Sequence, residues 1–242
     1  MTCQTKTLVL IPAYNESATV AEVVRAVLDA GFPALVVDDG SRDDTYRLAV
    51  DAGANAVRLP VNLGVGGALR CGFRWAVQNG FDTVVQCDAD GQHSPNQIAD
   101  LVQFAILNDL HLAIGSRFLG GSHFTSNVVR RIPMRVMALL ASRAAGVRLT
   151  DTSSGFRVIR GTLLREFARK FPVHYLGDTF DVTVEAGRRG YRIGEAPAIM
   201  HERAGGIPSN NAFWSTIYLI RSFAVLMIGT ANHYRDARAE RS

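Results

Sequence analysis

Cysteine is scarce in this chain of 242 residues, and what there is does not form pairs. The three cysteines, Cys3, Cys71 and Cys87, are odd in number and contain no Cys-x-x-Cys motif. This argues against a disulfide scaffold and against a structural zinc site, because both need cysteines in pairs or clusters. The same usage suits the reducing environment of a cytosol.

Other features are also missing. The amino terminus has no charged segment followed by an apolar run, so no signal peptide is expected. No repeat, linker or low-complexity segment separates a second domain, and a hydrophobic content of 48% excludes intrinsic disorder. Lysine is rare, so arginine dominates the net charge of +4. Arginine suits bidentate phosphate binding, although genome composition can produce the same bias.

Short apolar runs alternate with helical segments along most of the chain. This alternation predicts an α/β fold with a mostly parallel central sheet flanked by helices, and ligands at the carboxyl ends of its strands. A basic helical stretch is predicted at 130–148, and 150–157 has the composition of a polar turn. The predicted strands are 8–11, 34–37, 56–59, 81–87, 112–115 and 192–196.

The segment Cys87-Asp88-Ala89-Asp90-Gly91-Gln92-His93 follows the fourth predicted strand. Two carboxylates one residue apart can hold one hard cation, Mg²⁺ or Mn²⁺, which takes oxygen ligands and shares them with substrate phosphates. The motif therefore suggests chemistry on a nucleotide diphosphate. The alternative is a solvated turn in which an Asp and Ser94 cap the next helix.

Two further clusters follow predicted strands. Asp38-Asp39-Gly40-Ser41 follows the second one, where Asp-Gly is also a common turn pair. The glycine-rich run from Asn62 to Gly67 follows the third predicted strand. It either lets the backbone approach a ligand or is a plain glycine loop that leads into a helix. It fails as a dinucleotide-binding fingerprint in spacing and position, so a NAD-dependent dehydrogenase is not expected.

In this order and spacing, the clusters resemble family 2 glycosyltransferases of the GT-A fold. The resemblance covers about residues 7 to 210 and narrows to dolichol-phosphate mannosyltransferases and bacterial polyprenyl-phosphate glycosyltransferases. The early motifs are Ile11-Pro12-Ala13-Tyr14-Asn15-Glu16, Val37-Asp38-Asp39-Gly40-Ser41, Asn62-Leu63-Gly64 and Asp88-Ala89-Asp90-Gly91-Gln92-His93. The later ones are Gly115-Ser116-Arg117, Asp151-Thr152-Ser153-Ser154-Gly155-Phe156-Arg157 and His201-Glu202-Arg203.

The resemblance implies a donor site and a metal site. The metal, Mg²⁺ or Mn²⁺, would be surrounded by Asp88, Asp90 and Gln92, and would neutralise charge on the departing diphosphate. Asp39 would accept from a base N–H or a ribose hydroxyl. The residues expected to contact the donor are Pro12, Tyr14, Glu16, Asp39, Asn62, Gly64, Arg70, Asp88 and Ala89.

The resemblance also implies an acceptor site. Arg117 and Arg203 would bind an acceptor phosphate as bidentate forks, the alternative for each being a surface salt bridge. Relatives often carry Ser-Lys where this chain continues from Gly205 to Asn210, so a basic group is missing there. Asp151 would orient the donor sugar or the acceptor, or only form a turn. Asp178 would serve as a base for a hydroxyl acceptor, or only cap a helix.

The implied activity is a metal-dependent, inverting transfer of a sugar from a GDP- or UDP-sugar to a polyprenyl phosphate. One alternative is a soluble transferase acting on a saccharide or protein hydroxyl, and another is a non-catalytic nucleotide-binding module. Peripheral attachment to the cytoplasmic face of the membrane is expected, with no nucleic acid partner.

The prediction divides the chain into a GT-A domain at 1–211 and a carboxyl-terminal segment at 212–242, which consists of a membrane-interface or dimer-interface helix and a basic tail. The segment contains an apolar helix at 212–231 with one central charge, Arg221. Such a helix fits the membrane interface better than a span, because a central arginine is costly in lipid. The alternative is a packed helix, for example in a homodimer.

Overall fold

The computed structural model describes residues 6–119, 128–171 and 179–200, and for 128–135 it describes only the backbone. The chain divides into two compact units, Met1–Gly206 and Ile207–Ser242, and every described residue lies in the first. The predicted domain boundary at 211/212 and the predicted helix at 212–231 lie outside the described residues. Within those residues, no helix is both long and apolar enough to cross a bilayer.

Strands and helices alternate along the described chain, as the sequence predicts, except that two helices, Gly161–Lys170 and Phe180–Arg188, precede the last strand. The strands are β1 (Thr7–Ala13), β2 (Ala34–Asp38), β3 (Asn55–Arg58), β4 (Thr83–Gln86), β5 (Leu112–Ser116), β6 (Arg157–Arg160) and β7 (Ile193–Pro197). The helices are α1 (Val20–Asp29), α2 (Thr45–Asp51), α3 (Val65–Gln78), α4 (Ile98–Leu107), α5 (Val128–Ala145), α6 (Gly161–Lys170) and α7 (Phe180–Arg188). The six predicted strands are confirmed to within two residues at each end.

The strands form one sheet in the order β3-β2-β1-β4-β6-β5-β7. Pairing is parallel throughout the described sheet except at β6, which runs antiparallel to both β4 and β5. The predicted α/β class with a mostly parallel sheet is therefore confirmed.

Strand β6 corrects the prediction of a polar turn at 150–157, because the turn ends earlier and Arg157 begins the strand. The strand contains only two apolar residues, Val158 and Ile159, between two arginines, so it has neither the run nor the alternation that marks a strand. Arg157 is nevertheless buried, since backbone carbonyls and a hydroxyl accept its hydrogen bonds.

Helices cover both faces of the sheet because strand side chains alternate between them. Val9 and Ile11 of β1 pack with the apolar stripe of α1 and with α4 on one face. Leu10 points to the other face, where it meets α3. The stripe of α1 follows the helical period, with buried valines at 20, 23, 24 and 27.

Gly72 sets how closely α3 approaches the sheet. A Cβ atom built at Gly72 would lie 2.2 Å from Leu10 Cδ1 and 2.9 Å from Leu10 Cγ. Leu10 is completely buried, so a side chain at position 72 could be accommodated only if Leu10 moved within the protein interior. The close packing of α3 against the sheet therefore requires glycine at position 72.

Gly72→Val should lower the free energy of unfolding by about 1–3 kcal/mol, because overpacking outweighs the better helix propensity of valine. Arg74→Val, an exposed position in the same helix, is the matched control and should change it by no more than about 0.5 kcal/mol. Urea titration followed by circular dichroism measures both values. Equal effects in the two variants would contradict the close packing.

Candidate active site at the carboxyl edge of the sheet

The predicted site motifs meet at one edge of the sheet. Strands β2, β1 and β4 are adjacent and parallel, so the segments that follow them lie side by side. Strand β5 has the same direction and ends at Ser116, next to Arg117. Because β6 is antiparallel and starts with Arg157, the turn that precedes it comes to the same edge.

The loop after β1 is held by the loop after β2. The Asn15 N–H donates to Ser41 Oγ at 2.9 Å, and Asn15 Oδ1 accepts from the Arg42 N–H at 2.9 Å. The Glu16 N–H donates to Thr45 Oγ1 at 2.8 Å. Tyr14, predicted to line the base pocket, is left exposed at this edge. Pro12, predicted for the same pocket, lies inside β1.

Asp39 holds the glycine-rich loop. Its Oδ1 accepts from the Leu63 N–H at 2.7 Å, while Asn62 Oδ1 accepts from the Gly64 N–H at 3.0 Å. Burial raises the pKa of the Asp39 carboxyl, with partial compensation from the N–H groups of Leu63 and Gly64. The structure thus brings together Asp39, Asn62 and Gly64, three of the residues predicted to contact the sugar donor. Nucleotide binding by Asp39 stays a prediction.

The carboxylate pair follows β4. The Asp88 side chain is 36% exposed, whereas Asp90 is buried and its Oδ1 accepts from the Gln92 N–H at 3.0 Å. Gly155 lies directly against Asp88, since a Cβ atom built there would be 2.5 Å from Asp88 Oδ2. Any side chain at 155 would displace the carboxylate. The turn before β6 therefore forms one wall around Asp88.

This pair fits a shared Mg²⁺ or Mn²⁺ better than a closed protein site. Among the described residues, no group of three or more His, Cys, Asp or Glu side chains could hold a metal ion. Cys87 is completely buried, and burial, together with the charges of Asp88 and Asp90, raises the pKa of its thiol. One or two carboxylates completed by phosphate oxygens and water is the usual arrangement for Mg²⁺.

His93 supports the pair without being a predicted ligand. Its Nδ1 accepts from the Asp88 N–H at 3.2 Å, and its ring stacks on Phe156 with 5.3 Å between centroids. The ring is almost fully buried. These contacts fix the backbone of Asp88 relative to the turn before β6.

Arg117 and Asp151 form a bidentate ion pair. Arg117 Nε donates to Asp151 Oδ2 at 2.6 Å and Nη2 donates to Oδ1 at 2.7 Å, and the Arg117 N–H adds a bond of 3.1 Å to Oδ2. Burial alone raises the pKa of the Asp151 carboxyl, but the hydrogen bonds and charge of Arg117 outweigh it and hold this pKa below its ordinary value. Both residues were predicted for the site, and the structure joins them to each other.

Glu195, in β7, is a residue that the sequence motifs do not indicate. Its carboxylate accepts from the Thr150 N–H at 2.7 Å, the Thr150 hydroxyl at 2.8 Å and the Asp151 N–H at 2.7 Å. It therefore positions Asp151, and through Asp151 it orients Arg117. The only signal in the sequence is a single carboxylate inside a short strand.

Arg157 ends both the predicted turn and the motif Asp151–Arg157, and the sequence assigns it no role of its own. Its buried guanidinium donates to the carbonyls of Ser154 at 2.7 Å, Thr152 at 2.7 Å and Thr179 at 2.8 Å. A buried arginine holding three carbonyls fixes the shape of the turn between Asp151 and Gly155, and links it to the start of α7.

Arg70 is not joined to these contacts. Its Nη2 donates to the carbonyl of Arg169 at 2.9 Å, in the last turn of α6, so the side chain is directed across the helix pair. Its donor-binding role stays a prediction. Arg203 and Asp178, predicted for the acceptor and as a base, lie outside the described residues.

Known proteins resemble this chain in sequence. Residues 8–168 match the family model of glycosyl transferase family 2. The undecaprenyl-phosphate mannosyltransferase of Micrococcus luteus is 33% identical over 210 residues, covering 83% of this chain and 86% of that protein. The polyprenol monophosphomannose synthase of Mycolicibacterium smegmatis is 34% identical over 213 residues, covering 84% and 80%.

Solved structures show the same fold. Glucosyl-3-phosphoglycerate synthase from Mycobacterium tuberculosis with phosphoglyceric acid aligns with a TM-score of 0.67 at 21% identity, covering 93% of this chain and 79% of that one. The same enzyme with Mn²⁺, uridine diphosphate and phosphoglyceric acid aligns with a TM-score of 0.66. From the match over 8–168, the two relatives above 30% identity and the shared architecture, the chain belongs to glycosyl transferase family 2 and is a glycosyltransferase of the GT-A fold.

Proposed function

We propose that this enzyme moves a sugar from a nucleotide diphosphate sugar to a polyprenyl phosphate, with inversion at the anomeric carbon and with Mg²⁺ or Mn²⁺. The relatives named above support the acceptor class, because one is an undecaprenyl-phosphate mannosyltransferase and the other a polyprenol monophosphomannose synthase. One observation carries the proposal: Gly155 lies against Asp88. Because of this contact, the turn before β6 lies beside the carboxylate pair. That turn contains Asp151, which is bonded to Arg117.

The donor side of the site would act on the leaving group. A divalent metal held by Asp88 and Asp90, with Gln92 beside them, would stabilise the charge that grows on the nucleoside diphosphate as its bond to the sugar breaks. Asp39 and the loop that it holds would bind the nucleoside, whose base would be guanine or uracil. The buried Asp90 would keep the turn in place, and the more exposed Asp88 would face the diphosphate.

The acceptor side would need no general base. The second pKa of a phosphate monoester is about 6, so at neutral pH the acceptor is mostly a dianion. One of its oxygens would attack the anomeric carbon from the face opposite the diphosphate, forming the new bond as the old one breaks. Arg203 would bind this phosphate as a bidentate fork, and Arg117, whose own fork is held by Asp151, would add its positive charge.

The location follows from the acceptor. A polyprenyl phosphate resides in a membrane, so we place the enzyme peripherally on the cytoplasmic face. The predicted helix at 212–231 and the basic stretch at 130–148 would contribute to that attachment. In the alternative, the helix would pack in a homodimer interface.

The carboxylate pair should be required for transfer but not for folding. Asp88→Asn and Asp90→Asn should each reduce transfer at least about a hundredfold, because the leaving group loses its stabilisation. The melting temperature of either apo variant should stay the same or rise, because a like charge is removed. Product formation from radiolabelled nucleotide sugar and thermal denaturation measure these effects.

Asp82→Asn is the matched control, since Asp82 precedes the opposite end of the same strand. It should leave transfer within about twofold of the parent enzyme. EDTA should stop transfer in the parent, and Mg²⁺ or Mn²⁺ should restore it. Full activity in the presence of the chelator would refute the metal assignment.

Arg203 should act on the acceptor and not on the donor. Arg203→Lys keeps the charge but loses the bidentate fork, so transfer should fall at least about tenfold while nucleotide affinity stays within a few-fold. Steady-state kinetics with each substrate varied, together with calorimetry of nucleotide binding, separates the two sides. Loss of nucleotide affinity with normal acceptor kinetics would reverse the assignment.

A further inference from the structure

Helices α3 and α6 form an antiparallel pair on one face of the sheet. Helix α3 starts at the carboxyl edge, directly after the loop that Asp39 holds. Helix α6 follows the antiparallel strand β6 and therefore returns toward that edge. The two helices pack through Phe73 and Phe167, whose ring centroids are 5.8 Å apart.

The charged side chains on the outer side of this helix pair are all positive. No described carboxylate forms an ion pair with them. Arg70 donates to the Arg169 carbonyl, and Arg169 Nε donates to the Arg165 carbonyl at 3.3 Å. Because the helices are antiparallel, this contact also brings Arg74 alongside Arg165. We call this surface the α3–α6 basic face, and its members are Arg70, Arg74, Arg165, Arg169 and Lys170.

The acidic groups near this face are engaged elsewhere. Glu166, the one carboxylate of α6, pairs with Arg189 and accepts from the Tyr191 hydroxyl. Helix α3 contains no Asp or Glu. In the described chain, none of the five cations has an ion pair with a carboxylate, whereas Arg58, Arg117 and Arg192 do.

The spacing of the positive charges destabilises both helices. Arg70 and Arg74 are four residues apart on α3, and Arg165 and Arg169 are four apart on α6. Like charges at this spacing destabilise a helix. A surface that concentrates them is therefore better explained by an external anionic partner than by the stability of the fold.

An exposed apolar loop adjoins the basic face at the active-site edge. Val61 and Leu63, directly before α3, are 58% and 48% exposed. Cationic side chains next to exposed aliphatic ones are the combination that binds the headgroup region of a bilayer. A nucleic acid would use the charges but not the aliphatic side chains.

We infer that the α3–α6 basic face docks the enzyme on an anionic lipid bilayer, with Val61 and Leu63 at the rim nearest the active site. The inference rests on the proposed function, in which the acceptor is embedded in that bilayer. Docking through this face keeps the carboxyl edge of the sheet next to the lipid surface, where the acceptor phosphate lies. Each Lys or Arg near an anionic surface strengthens binding about fivefold.

The test is flotation of the full-length enzyme with vesicles of phosphatidylglycerol mixed with phosphatidylcholine. Arg74→Glu combined with Arg169→Glu should weaken binding at least about twentyfold, because two favourable charges become repulsive. Lys6→Glu combined with Arg25→Glu is the control: it changes net charge equally, at exposed positions before β1 and on α1. It should weaken binding less than about threefold.

Equal weakening by the two double variants would overturn the inference, because it would show attraction by net charge alone. Unchanged binding of the Arg74/Arg169 variant would overturn it as well. Thermal denaturation checks that the variants fold. If the glutamate variant does not, Arg74→Gln with Arg169→Gln replaces it and should weaken binding about tenfold or more.

An activity measurement separates this inference from the proposed function. The Arg74/Arg169 variant should retain transfer to a water-soluble, short-chain polyprenyl phosphate and lose transfer to a long-chain acceptor in vesicles. If the parent enzyme uses neither acceptor, the proposed function fails, and selective vesicle binding would still support the docking face. Loss of short-chain transfer with normal vesicle binding would place these arginines in the site and overturn the inference.

Discussion

The direction of strand β6 is the constraint on which the rest of the site depends. In a wholly parallel sheet, the segment before a strand lies at the edge opposite the ligand site. Since β6 runs antiparallel between β4 and β5, the turn before it lies at the ligand edge. Gly155 can then touch Asp88, and Asp151 can pair with Arg117. One reversed strand thus joins two halves of a site that are far apart in the chain.

Many carboxylates crowd this edge, and most of them are compensated locally. Asp38 faces Arg58, Asp151 pairs with Arg117, and backbone N–H groups bond to Asp39 and Asp90. Uncompensated buried charge is costly, and these contacts offset part of that cost. Asp88 differs because over a third of its side chain is exposed. The site therefore presents a carboxylate where a cation and a diphosphate would meet.

The proposed chemistry needs positioning more than it needs reactive side chains. A phosphate dianion is already nucleophilic, and the metal would assist the leaving group. The remaining task is to hold two anionic substrates in line, and the turn before β6 suits this task because contacts support it from three sides. Glu195 anchors its start, Arg157 bonds to its carbonyls, and His93 and Phe156 stack beside Asp88.

The sequence by itself determined the α/β class, the six parallel-running strands, the order of the motifs and the edge at which they gather, because strand period and motif spacing are local properties. Only the tertiary structure decided the reversal of β6, the ion pair of Arg117 with Asp151 and the anchoring role of Glu195. The physical reason is sequence distance: Arg117 and Asp151 are 34 residues apart, and Glu195 is 44 residues beyond Asp151. No local pattern encodes such contacts, and they form only when the sheet brings its strands together.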